Sequence, residues 1–306
     1  TDEDGNTVDE WVSKEEAHII KGLIVGKKYK MTETKPADGY VTAESIEFTV
    51  ENTKEVQKHQ MLDDVTKVEI SKKDITDSSE VPGAKLIILD KNGKKVESWT
   101  STDKPHMVEK LPVGKYTLRE EQAPDGYLIA EDVKFTVKDT GKIQKVKMKD
   151  AHPYGKLVIK KTDSTSKAAL PGAEFELREK ESGKVVEKLV TDKTGTATSG
   201  KIPIATYKNG KVEKTVEYIL VETKAPNGYE LSSKKEEIRF EYKDGKTKVI
   251  EIVKEIKNTK SPSGSTPTGN SPKTGDSTNI WLPILLAVLS ACGIGGVIWY
   301  KKKKGN

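Results

Sequence analysis

Val68-Glu69-Ile70-Ser71-Lys72-Lys73-Asp74 and Leu157-Val158-Ile159-Lys160-Lys161-Thr162-Asp163 are the two stretches on which the fold turns. Successive side chains of a strand point to opposite faces, so Val68 and Ile70 share a face with Lys72, as Leu157 and Ile159 do with Lys161. Both lysines are therefore expected to point into a core. Each stands eleven residues before the glycine of Pro82-Gly83-Ala84 or Pro171-Gly172-Ala173, which makes them equivalent positions in two copies of one unit.

Working outward, the same unit continues. Tyr116-Thr117-Leu118-Arg119-Glu120 leads into Ala123-Pro124-Asp125-Gly126-Tyr127, and Tyr218-Ile219-Leu220-Val221-Glu222 leads into Ala225-Pro226-Asn227-Gly228-Tyr229. A further copy runs from Tyr29-Lys30-Met31-Thr32-Glu33 into Pro36-Ala37-Asp38-Gly39-Tyr40. By the same alternation Glu120 and Glu222 face inward with their tyrosine and leucine. The closing strands, Val146 to Asp150 and Ile252 to Asn258, end on an inward Asp150 and Asn258. The first and second copies align at an offset of 88 from Val8 to Leu23 and of 87 up to Asp63, opposite Asp150. On that alignment the first copy begins near the position of Leu89. Its opening strands and donor lysine are missing from this chain, while Glu33 and Asp63 are present. Trp11 and Trp99 occupy matching strand positions and read as core packing.

Turns such as Asp90-Lys91-Asn92-Gly93 and Lys243-Asp244-Gly245 punctuate short alternating runs, and no helical periodicity competes with them before residue 280. The fold class is all-β, as tandem Ig-like β-sandwiches each with its own core, followed by a single C-terminal transmembrane helix. Ile280 to Tyr300 is an apolar run long enough to cross a bilayer core of about 30 Å. Lys301 to Lys304 follow it and hold the C-terminus on the cytoplasmic side, so everything upstream faces outward. Formal charge is +5, of which Lys301 to Lys304 and Asp276 account for +3, so the basic balance is mostly topogenic. Arginine is confined to Arg119, Arg178 and Arg239, and with no interleaving of basic and aromatic residues nucleic-acid binding has no support.

Cys292 is the sole cysteine and lies in the span, so the exported part has no disulfide. His18, His59, His106 and His152 lack metal-ligand spacing and read as ordinary surface or loop residues. Phosphate-binding loops and nucleophile motifs are absent, so no cofactor, no metal and no enzyme activity are expected. A lysine, a glutamate and an acid or carboxamide on core-facing positions are costly as isolated charges, so something must neutralise them.

Ser271-Pro272-Lys273-Thr274-Gly275, followed by the apolar stop and the lysine tail, resembles the cell-wall sorting signal of Gram-positive surface proteins, with Ser271 in place of the usual leucine. The resemblance implies cleavage by a sortase between Thr274 and Gly275. The Thr274 carbonyl would then pass to an amine of the peptidoglycan cross-bridge or its lipid-linked precursor. An ordinary single-span anchor is the alternative. The repeats, through their Lys-x-Asp and Glu-x-x-Ala-Pro-x-Gly-Tyr motifs, resemble SpaA/Cna B-type (prealbumin-like) domains. That family implies an intramolecular isopeptide bond between a first-strand lysine and a last-strand Asn or Asp, assisted by a glutamate.

Carried over, Lys72 would bond Asp150 with Glu120 assisting, and Lys161 would bond Asn258 with Glu222 assisting. Burial would leave the lysine a neutral amine and the glutamate a protonated acid. Without condensation the same residues would form a buried salt bridge.

The implied organisation is a truncated B-type repeat at 1–64, B-type sandwiches at 65–152 and 153–260, a Ser/Pro/Thr/Gly wall-spanning linker at 261–271, and the sorting signal at 271–306 with its span at 280–300. The implied function is the structural stalk of a wall-anchored adhesin at the cell surface, touching the membrane only before sorting. A host or extracellular-matrix ligand would be bound through a missing upstream domain. A pilus subunit, shaft or base, is the alternative, and an anchored exoenzyme whose catalytic domain lies elsewhere is a third.

Overall fold

A computed structural model describes residues 1–262. Most of the linker, the Ser271–Gly275 motif, the span 280–300 and the lysine tail lie outside the described residues. Among the described residues every regular element is a β-strand, and no helix is long and apolar enough to cross a membrane.

In the first repeat β1 (Lys28–Met31) pairs antiparallel with β2 (Ile46–Thr49), setting Tyr29 opposite Phe48. Tyr29 is buried there, while Ile19, Val25 and Leu62 stay exposed. The second repeat comprises β3 (Lys67–Asp74), β4 (Lys85–Leu89), β5 (Lys95–Thr100), β6 (His106–Glu109), β7 (Gly114–Gln122), β8 (Val133–Val137) and β9 (Ile143–Asp150). One sheet has the order β6-β3-β9 and the facing sheet β5-β4-β7-β8. The core between them gathers Val68, Ile70, Leu86, Ile88, Leu118 and Met148, all buried. Full burial of each such aliphatic side chain is worth roughly 1.5–3 kcal/mol.

The third repeat follows the same plan. It comprises β10 (Tyr154–Asp163), β11 (Glu174–Glu179), β12 (Val185–Val190), β13 (Thr196–Thr198), β14 (Ile202–Pro203), β15 (Ala205–Lys208), β16 (Lys211–Thr215), β17 (Glu217–Lys224), β18 (Glu236–Arg239) and β19 (Val249–Asn258). β10 takes β13 and β14 along one edge and β19 along the other, and the facing sheet is β12-β11-β17-β18. β15 and β16 form an extra hairpin in the stretch where this repeat is longer.

Both complete sandwiches share one departure from antiparallel pairing. β3 runs parallel to β9 and β10 parallel to β19, so the first and last strands of each repeat lie side by side. Register then sets Asp74 opposite Asp150 and Asp163 opposite Asn258. Lys72 and Lys161, two residues earlier, fall on the same inward face as those partners.

Two details depart from the expectations above. Trp99 only packs against the edge of the core and Trp11 is 36 % exposed; each stacks on a histidine, His106 or His18, at 4.4 Å between centroids. Trp99 keeps the inward face that alternation assigns but lies on the outermost strand β5, whereas Trp11 lies in no strand, so the matching strand position expected of the two is not formed in the first repeat. His152, expected as a surface or loop residue, lies in a loop but keeps only 14 % of its side chain exposed, because Tyr207 of the third repeat's hairpin stacks on it and Tyr127 and Asp74 hold its other side.

Candidate functional site

In the second repeat β3 brings Lys72 and β9 brings Asp150 from one sheet, and β7 brings Glu120 from the other. Lys72 is 2 % exposed and Asp150 fully buried, so neither charge has water to answer it. Lys72 Nζ donates to Asp150 Oδ1 and lies 3.1 Å from Glu120 Oε2. That glutamate oxygen also accepts the Ala130 backbone N–H at 2.6 Å. Glu120 Oε1 and Asp150 Oδ2 are buried with no hydrogen-bond partner. Burial pushes the Asp150 carboxyl up to about 7 against the pull of Lys72, and the neighbouring Glu120 raises it further. A single proton held between the two carboxyl groups would satisfy both orphaned oxygens.

The third repeat repeats the triangle with a carboxamide. Lys161 Nζ donates to Asn258 Oδ1 and lies 3.1 Å from Glu222 Oε1. Asn258 Nδ2 donates to Glu222 Oε1 at 2.9 Å, the place that the Asp150 proton would take in the second repeat. Glu222 Oε2 accepts the Ser232 backbone N–H at 2.9 Å, matching Ala130. Burial draws the Lys161 ammonium below its usual value, against the opposing Glu222 carboxylate. A cavity of about 280 Å³ lined by Glu222, Phe175, Leu220 and Ile256 adjoins this site. Lys254, which shares the inward face of β19, leans out to Glu236 at 3.7 Å and does not join it.

In the first repeat Glu33 Oε2 accepts the Ala43 N–H at 2.7 Å, the same loop contact as in the other two. Asp63 is exposed, and among the described residues no lysine completes a triangle with it and Glu33.

Sequence reasoning missed the residues just outside each triangle. Asp74 and Asp163 are buried and accept the hydroxyls of Tyr127, at 2.7 Å, and Tyr229, at 2.9 Å. Both halves of this contact stand in the quoted motifs, as the aspartate of Lys-x-Asp and the tyrosine of Ala-Pro-x-Gly-Tyr. Nothing local indicates that they meet across more than fifty residues. A second missed device is a buried hydroxyl: Ser101 donates to the Val81 carbonyl at 2.6 Å and accepts the Ala84 N–H at 2.9 Å. Thr191 does the same for Leu170 and Ala173.

A family model described as SpaA: Prealbumin-like fold domain matches residues 1–64, 66–152 and 155–256. The chain belongs to this family. Among solved structures, this SpaA-type chain is similar to the Bacillus anthracis TIE protein, at 24% identity and a TM-score of 0.50, over 76% of this chain and 42% of that one. The chain thus spans less than half of that relative, and the likeness speaks for the fold alone. It is also similar to a Streptococcal ancillary pilin, at 18% identity over 78% of this chain and 76% of that one, with a TM-score of 0.29. BcpA, the major pilin subunit of Bacillus cereus, matches at 15% identity over 64% of this chain and 99% of its own, with a TM-score of 0.26. These two likenesses are too loose to bear on the fold. No curated protein matches the chain by sequence.

Proposed function

We propose that the chain is a structural stalk of a cell-wall-anchored adhesin, whose second and third repeats crosslink themselves and whose C-terminus a sortase joins to peptidoglycan. One observation carries the reading: twice over, a buried lysine of the first strand meets the acceptor side chain of the last strand beside a buried glutamate. Left ionised, such a group costs several kcal/mol per charge in desolvation. Condensation removes that cost.

In the second repeat Lys72 Nζ attacks Asp150 Cγ, an N–C bond forms, a C–O bond breaks and water leaves. In the third, Lys161 Nζ attacks Asn258 Cγ and ammonia leaves, with the adjoining cavity as its way out. The proton lost by the amine travels through Glu120 or Glu222 to the leaving group. The acceptor is available in both cases: Asn258 is neutral by constitution, and burial raises Asp150 to about 7, so that a large share of it carries a proton at neutral pH. The dry core supplies the effective concentration. Each bond forms once per molecule, so the chemistry is maturation, not turnover.

The product joins neighbouring parallel strands near their shared end, so tension along the chain passes through the crosslink instead of peeling the sheet. The partners of this reading are a sortase, acting on Ser271–Gly275, and the peptidoglycan cross-bridge or its precursor. Wall extracts run in sodium dodecyl sulfate test the setting. A single wall-linked band supports the stalk, and a ladder of resistant polymers would instead make the chain a pilus subunit. Loss of wall linkage in a Thr274→Ala variant checks the motif itself.

A further inference from the structure

One loop in each complete repeat touches the glutamate of the triangle and the two strands that carry its lysine and its acceptor, without reacting. In the third repeat, Ala225-Pro226-Asn227-Gly228-Tyr229 turns tightly, with Tyr229 N donating to Pro226 O at 3.1 Å and Gly228 at φ +81. A positive φ at the third residue of such a turn favours glycine. The turn delivers three contacts. Tyr229 Oη donates to Asp163 Oδ2 at 2.9 Å, at the end of the lysine strand. Glu230 N donates to the Thr259 carbonyl at 3.0 Å, one residue past the acceptor. Ser232 N donates to Glu222 at 2.9 Å. Asp163 in turn accepts the backbone N–H groups of Thr165 and Ser166, and Ser164 N donates to the carbonyl of Asn258 itself, at 3.0 Å.

The second repeat duplicates the set. Tyr127 donates to Asp74, Leu128 N to the Ala151 carbonyl at 2.9 Å, Ala130 N to Glu120, and Ile75 N to the Asp150 carbonyl at 3.1 Å. In the first repeat Val41 N and Ala43 N keep the corresponding backbone contacts, to Asp64 and Glu33. With no such aspartate there, Tyr40 Oη instead accepts a hydrogen bond from Lys110.

We infer that Tyr229 with Asp163, and Tyr127 with Asp74, are positioning residues for isopeptide formation: the tyrosine locks the lysine strand to the loop that also holds the acceptor strand and the glutamate. This rests on the crosslinking proposed above. None of the four touches the reacting atoms. Their work is to fix the distance from Nζ to Cγ, and a misplacement of about 1 Å can cost on the order of a hundredfold in rate. Tyr229 is the cleaner test, because the second repeat's loop is also pinned by the third repeat through Tyr207 and Tyr242.

The experiment is cell-free synthesis of the full chain, quenched in detergent at set times. Each crosslink is followed by gel mobility and by the mass of its peptide pair, and folding by near-ultraviolet circular dichroism. For Tyr229→Phe we expect a folded chain whose third-repeat bond forms ten- to a hundredfold more slowly, while the second-repeat bond keeps its normal rate. Asp163→Ala should do the same, and Asp163→Asn, which keeps its oxygen on the Thr165 and Ser166 N–H groups and can donate its amide to the tyrosine oxygen, should restore most of the rate. A Tyr229→Phe chain that crosslinks at the unchanged rate and merely melts lower would overturn the inference and leave the crosslink standing. Absence of any crosslink in the unchanged chain would remove both.

Discussion

Asp150 and Asn258 occupy equivalent positions but hand the same reaction two different acceptors. An ionised carboxylate resists attack by an amine, whereas a carboxylic acid or a carboxamide beside a proton donor accepts it. Since burial raises Asp150 to about 7, its reactive form is lost as pH climbs past that value. Rising pH that frees an attacking amine removes the acid form of Asp150 in step, so crosslinking of the second repeat should gain nothing in rate above about pH 7 in timed synthesis. Asn258 has no such proton to lose, so the third repeat's bond should form faster as pH rises and level off once Lys161, whose value burial lowers, is neutral. Glu120→Gln and Glu222→Gln each remove the proton carrier while keeping the shape, and should slow their own bond by 10²- to 10⁴-fold. The same time course reads that effect.

Asp74 and Asp163 titrate the opposite way. Burial alone would raise Asp74, but hydrogen bonds from Thr76, Tyr127 and His152 hold it down to about 2. Asp163 is lowered to about 2 by the Ser166 backbone N–H, Tyr229 and Thr165. A carboxylate depressed on folding stabilises the fold above its unfolded value near 4, and that contribution disappears as pH falls from there towards 2. Chains carrying Lys72→Ala and Lys161→Ala, free of crosslinks, should lose melting temperature over that window, and Tyr127→Phe with Tyr229→Phe should flatten the loss.

At the scale of strands, the buried hydroxyl of Ser101 shows what the sheets need besides apolar faces. It ties the Val81 carbonyl to the Ala84 N–H where the chain enters β4, and in Ser101→Ala both groups are left buried without it. That should cost about 1–3 kcal/mol, measured by urea unfolding of the Lys72→Ala chain.

Lys72, Lys161, Glu120 and Glu222 were legible because a strand's period of two leaves no choice of face once neighbours such as Ile70 or Leu118 are assigned. The adjacency of first and last strands was not contained in that alternation, and came only with the family resemblance. Tyr127 meeting Asp74 depends on a turn and a parallel pairing that no local pattern encodes. Trp99 shows the same limit in a milder form: it packs against the core as its face implies, but alternation does not say how far from the sheet edge a residue lies.

Across the described chain the repeats are tied to one another. Between the first and second, Thr42 donates through both its backbone N–H and its hydroxyl to Asp139, and Gly39 approaches the Lys110 backbone so closely that a Cβ would stand 2.3 Å from its carbonyl oxygen. Between the second and third, the β15–β16 hairpin lays Tyr207 flat on His152, 3.5 Å between ring centroids, and donates from Tyr207 Oη to the Gly126 carbonyl at 2.9 Å. Gly210 of the same hairpin leaves no room for a Cβ beside the Glu80 carbonyl. His152 does lie in a loop, but its burial was not legible locally because it comes from Tyr207 of this later segment together with Tyr127 and Asp74 from far earlier in the chain. Tyr207→Ala should loosen the joint while sparing each sandwich. The expected sign is a broader distance distribution between spin labels on the second and third repeats, with both crosslinks intact.

Self-made crosslinks are the central claim, and intact mass tests them most directly. The chain should weigh about 35 Da less than its sequence, about 18 Da from water at Asp150 and about 17 Da from ammonia at Asn258. Lys72→Ala should abolish the first deficit alone and Lys161→Ala the second alone. A mass equal to the sequence in all three chains would contradict the account and leave two buried salt-bridged triangles in place of covalent links.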